Sequence, residues 1–65
     1  MPIIIFEGPS LETDAKRKLI RSLTDAASGA TGIPPERIIT ILHENGPQRV
    51  GVAGELLADR EAREG

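Results

Sequence analysis

Two β-branched runs, Pro2–Phe6 and Arg37–Glu44, lie on either side of one long segment of helical periodicity. This arrangement constrains the chain more than any other feature. Pro2-Ile-Ile-Ile-Phe6 is continuously apolar and reads as a strand buried on both faces. Glu7-Gly8-Pro9-Ser10 breaks it. A helix is predicted from Glu12 or Thr13 to Gly29 or Ala30. At 100° per residue, Ala15, Leu19, Ile20, Leu23, Ala26, Ala27 and Ala30 fall within an arc of about 140°. Asp14, Arg17, Lys18, Arg21 and Asp25 occupy the other side as a solvated face, with Asp14/Lys18 and Arg21/Asp25 as i,i+4 pairs. Thr13 or Ser10 is the expected cap at the start, and Gly29 and Gly32 the expected end.

After the connector Ile33-Pro34-Pro35-Glu36, the run Arg37–Glu44 reads as the second strand. Two strands joined by a helix form a βαβ unit, which makes them parallel with a right-handed crossover. Asn45-Gly46-Pro47 is a turn, Gln48–Gly54 a short hairpin or arm, and Glu55–Arg63 a short, weak terminal helix. The fold class is therefore α/β (α+β), a β-α-β protomer with a C-terminal hairpin, in a single domain over residues 1–65.

A two-stranded sheet with one helix does not stand alone. Sixty-five residues give a small core, and the usual staples are missing: the chain has no cysteine and one histidine. A disulfide and a zinc–thiolate site are thereby excluded. Association with other copies is the remaining solution. A net charge of −2, without Trp or Tyr, gives no footprint for nucleic acid. No apolar run reaches membrane-spanning length and no signal peptide is evident, so a cytoplasmic location is the expectation.

The chemistry-bearing candidate is Pro2. Once Met1 is removed, the chain begins with a secondary amine. A free α-amino group titrates near neutrality, and an apolar setting lowers its pKa further, which suits a general base. With Met1 retained, the same nitrogen is a tertiary amide without that chemistry.

Several features converge: the penultimate proline, Gly8-Pro9, Leu19-Ile20-Arg21, Gly32-Ile33-Pro34, a second strand ending in Glu44, and Val50-Gly51-Val52-Ala53-Gly54-Glu55 leading to Asp59-Arg60. Together they resemble the 4-oxalocrotonate tautomerase family, in its short subgroup with a Gly-Pro first loop. The resemblance covers nearly the whole chain. It implies a tautomerase/MIF-like fold and a homohexamer built as a trimer of dimers. It also implies Pro2 as base, no metal and no organic cofactor. The implied reaction is tautomerisation of a small anionic enol or keto acid.

The chain departs from better-known members, which carry arginines where this sequence has Pro9 and Ile39, and an aromatic where it has Val50. Arg37, Arg49 and Lys16 are the candidate substitutes for those charges, and Ile39 and Val50 are candidate walls. Period-two alternation on a strand beginning at Arg37 sets Arg37 and Ile39 on one face, about 7 Å apart. Each cation also has a structural reading. Arg37 would be a solvated strand-start charge paired with Glu36 or a neighbour, Arg49 an exposed hairpin charge, and Lys16 a snorkelling lysine at the sheet end far from its own Pro2. His43, on the face of Ile39 and Ile41, reads as a structural or interface histidine. Glu44 reads as a partner for an arginine across an interface. The alternatives are a weakly active oligomeric scaffold, one half of a hetero-oligomer, or a hydratase, dehalogenase or decarboxylase using protonated Pro2.

Overall fold

The computed structural model describes residues 1–64. Its elements run in order β1 (Ile3–Gly8), α1 (Thr13–Thr31), a 3-10 turn (Pro35–Arg37), β2 (Ile39–Glu44), a second 3-10 turn (Pro47–Arg49), β3 (Gly51–Val52), β4 (Glu55–Leu56) and α2 (Leu57–Glu64). Strands β1 and β2 are parallel, in a register that runs from Ile3 opposite Ile39 to Gly8 opposite Glu44. Strands β3 and β4 form a separate antiparallel hairpin. The expected β-α-β protomer with a C-terminal arm is present.

Both main strands alternate between more and less exposed residues. Ile4, Phe6, Thr40 and Leu42 turn toward α1, while Ile3, Ile5, Ile39 and Ile41 form an open face, each at least 39% exposed. The expectation of a strand buried on both faces therefore fails within one protomer, because a single helix covers a single face.

The buried stripe of α1 is also displaced from the pure apolar arc. Ile20, Ala26 and Ala30 are exposed, whereas Lys16, Thr24 and Ser28 join Ala15, Leu19, Leu23 and Ala27 against the sheet side. The polar members are satisfied. The Thr24 and Thr40 hydroxyls lie 3.3 Å apart, and the Ser28 hydroxyl donates to the Ile33 carbonyl at 2.7 Å. Hydrogen bonding removes the penalty for covering these groups, so a strictly apolar stripe is not required.

The ends of α1 differ in kind. Glu12 occupies the N-cap without a side-chain cap bond, in place of Thr13 or Ser10. The sole ion pair along the helix among the described residues is Arg17 with Asp14 at 2.7 Å, not either expected i,i+4 pair. At the other end Gly32 adopts φ 75°, and its amide donates to the Ser28 carbonyl. That left-handed conformation is what a glycine here supplies cheaply.

The protomer is a flat slab, 46 × 24 × 14 Å, with a radius of gyration of 15.4 Å. A compact chain of this length has a radius near 11 Å. Its accessible surface is 4934 Å², against about 4000 Å² for a compact 6.9 kDa protein. The difference, about 900 Å², matches one side of a standard protein interface. Among the described residues only Ile38, 9% exposed, is buried.

Candidate functional site

The two ends of the β1–β2 sheet carry the candidate residues, and they are built differently. At the starting end, the Pro2 carbonyl accepts a hydrogen bond from the Ile39 amide at 3.1 Å. This bond fixes the carbonyl side of Pro2 just ahead of the Ile3/Ile39 pair. The other side leads to Met1, which is 82% exposed.

Arg37 reaches the same end by a route the sequence reading missed. It is not in β2. It closes the 3-10 turn Pro35–Arg37, and its amide donates to the Pro34 carbonyl at 3.0 Å. Strand alternation therefore does not govern the direction of Arg37 relative to Ile39. Pro34-Pro35 causes the turn: Pro35 begins it, where a missing N–H costs nothing and a fixed φ helps. Arg37 is exposed and joins no ion pair among the described residues, so the expected pairing with Glu36 is absent.

The finishing end is closed by a clamp. The Lys16 ammonium meets Glu44 Oε1 at 2.8 Å, and the Leu11 amide donates to Glu44 Oε2 at 3.0 Å. The Asn45 amide donates to the Gly8 carbonyl at 2.6 Å. The Lys16 hydrogen bond, with the Leu11 amide second, holds the Glu44 carboxyl below its usual range against a smaller opposing effect of desolvation. Within the protomer Glu44 thus pairs with Lys16 of its own chain.

Lys16 does emerge at the sheet end remote from its own Pro2, as expected. Its charge, however, is already committed to Glu44. Beyond this end, Arg49 closes the second 3-10 turn and is exposed. Val50 is half-buried, and its carbonyl accepts the Leu57 amide at 2.7 Å, pinning the base of the hairpin arm.

One protomer thus joins Pro2 to Ile39 through the backbone, with Arg37 in the turn just ahead of Ile39. It places Lys16, Arg49 and Val50 at the far end, roughly 17 Å away along a six-residue strand. On the open face Glu7 and His43 stand opposite each other, with His43 Nδ1 3.9 Å from Glu7 Oε1. Among the described residues no group of three His, Cys, Asp or Glu is placed to hold a metal ion.

The protomer is thus a βαβ slab with one open apolar face and a glycine-rich arm, with Pro2 just ahead of β1 and Arg37 in the turn ahead of β2. The comparisons with known proteins agree. The family described as "Tautomerase enzyme" matches residues 2–60. A probable tautomerase of Lactiplantibacillus plantarum is 40% identical, over 95% of this chain and 98% of its own. The chain belongs to the tautomerase family. Among solved structures it is similar to TomN, a 4-oxalocrotonate tautomerase homologue of the tomaymycin biosynthetic pathway. The TM-score is 0.89 at 29% identity, covering 98% of this chain and 100% of that one. It is also similar to DmpI from Archaeoglobus fulgidus, with a TM-score of 0.80 at 36% identity, covering 89% and 100%.

Proposed function

We propose that this protein is a cofactor-independent, proline-based tautomerase of small unsaturated enol or keto acids, working in the cytoplasm as a homohexamer, a trimer of dimers. Family membership supports the tautomerase reading. The observation that carries it to particular residues is the construction of the starting end. The Pro2 carbonyl is tied to Ile39, Met1 is exposed to removal, and an uncommitted Arg37 stands two residues ahead of Ile39.

The Pro2 amine freed by loss of Met1 takes a proton from the enol oxygen, or from a carbon next to the carbonyl. It returns that proton at a conjugated carbon as the double bond shifts. The net change moves one proton and one double bond, with nothing oxidised or lost, so no metal or organic cofactor is needed. Ile39 beside Pro2 supplies apolar surface, the setting in which a general-base amine is best kept neutral. Arg37 binds the carboxylate and stabilises the developing enolate. The surface excess of about 900 Å² and the open isoleucine face support assembly. An antiparallel neighbour would bring its Arg49 and Val50 to the starting end of this protomer.

The test is intact mass of the native protein with assays on phenylenolpyruvate and 2-hydroxymuconate. We expect a mass lacking methionine. Pro2→Ala should lower kcat/KM at least about 100-fold with the assembly unchanged on size-exclusion chromatography with light scattering. A retained Met1, or undiminished activity in the variant, removes Pro2 from the mechanism.

A further inference from the structure

We propose that the site takes a mono-anionic enol acid with an uncharged tail, and that Glu36 discriminates against a second carboxylate. This inference rests on the reading of Pro2 as the base. Its first support is the placement of the cations. Lys16, Arg17, Arg60 and Arg63 are committed to Glu44, Asp14, Glu64 and Glu55. Lys18 and Arg21 stand on the outward side of α1 with Asp14. Among the described residues Arg37 is the cation left at the Pro2 end.

Glu36 adjoins it in the same 3-10 turn, exposed and joined to no cation among the described residues. Its Cα lies within about 11 Å of that of Ile39, three peptide units on. The C-terminus of α1 arrives at this end with no basic residue in its last turn. Its macrodipole therefore adds partial negative charge there. One carboxylate is matched by Arg37, while a second meets Glu36 and the helix end. Ile3 and Ile39, 57% and 39% exposed, offer apolar surface for an uncharged tail.

A neighbouring copy does not reverse this balance. With Lys16 and Glu44 neutralising each other, the finishing end it would deliver carries Glu7 and Glu12 against Arg49, two acids to one base.

The experiment compares kcat/KM for phenylenolpyruvate, a monoacid, with that for 2-hydroxymuconate, a diacid, at low ionic strength where screening is weakest. We expect the monoacid to be favoured at least about tenfold, and Glu36→Gln to move the ratio about two- to fivefold toward the diacid. An equal or greater value for the diacid overturns the preference, and an unmoved ratio in Glu36→Gln overturns the role of Glu36. If neither acid turns over, calorimetric binding decides between 3-phenylpropionate and adipate. Tighter adipate, or no binding of either, overturns the proposal. Pro2→Ala separates the two claims. Loss of turnover alongside a diacid preference overturns this inference alone, while unchanged turnover overturns the base reading and this inference with it.

Discussion

The two ends of the sheet are made from the same strands, yet they use charge in opposite ways. At the finishing end, Lys16 and the Leu11 amide take both oxygens of Glu44, and Asn45 closes on Gly8. At the starting end, the Ile39 amide bonds to the Pro2 carbonyl ahead of the ladder, and Arg37 and Glu36 are unmatched among the described residues. A charge satisfied by its own chain supports the fold. A charge left open in a folded protomer is available to a ligand or to another copy. Charge type alone does not separate these cases, since Lys16 and Arg37 are both basic residues.

This contrast can be broken at either end. The largest stability effect is expected from Gly8→Ala, because an added Cβ would stand 2.6 Å from Phe6 Cε1 and 3.0 Å from Cζ. The Phe6 ring must shift within the helix–sheet contact, at a cost of about 1–3 kcal/mol. Urea unfolding should show it, and Phe6→Leu combined with Gly8→Ala should cost less than the sum of the two singles. An additive double mutant would mean that the ring does not close this end.

Next, Arg37→Ala should raise KM about tenfold, near 1.4 kcal/mol, with melting unchanged. A stability loss without a kinetic one would make Arg37 structural and erase the distinction between the ends. Glu44→Gln tests the other side. The Glu44 carboxyl is depressed in the folded state, so its contribution is full above its unfolded value of about 4.3 and is lost as pH falls through the folded value. The variant should melt below wild type at pH 7, and the gap should close as pH falls through the depressed folded value. A gap independent of pH would remove the Lys16–Glu44 charge from the account.

The smallest effect is expected in the arm. Ala53 adopts φ 55° beside Gly54 at φ 80°, the left-handed pair that a two-residue hairpin turn requires. Ala53→Gly should stabilise by about 0.5–1 kcal/mol, since a side chain there is strained and glycine is not. A loss on that substitution would show that the Ala53 methyl makes a compensating contact.

What could be read from the sequence was local or topological. The β-branched runs, the Gly32 stop and the parallel βαβ order follow from neighbouring residues and chirality. The Pro34-Pro35 signal was visible too, but it marked a connector, and Arg37 was assigned to the strand when the prolines instead wind it into the preceding turn. The true buried stripe of α1 depended on Thr24 and Ser28 finding hydroxyl and carbonyl partners, which requires knowing how the helix lies on the sheet. The Lys16–Glu44 clamp joins residues from different elements, and no spacing rule announces it. That Lys16 would emerge at that end was deducible, because a helix returning between parallel strands starts where they finish.

The slab measures only 14 Å along its shortest axis, so little of it lies far from a broad face. Such a molecule has almost no depth, and depth is the usual guide to which positions tolerate change. Here Gly8, Glu44 and Gly32 sit at or near the surface, yet each terminates or joins an element. Tolerance to substitution in this chain should therefore follow its junctions, much as a folded sheet of paper keeps its shape through its creases.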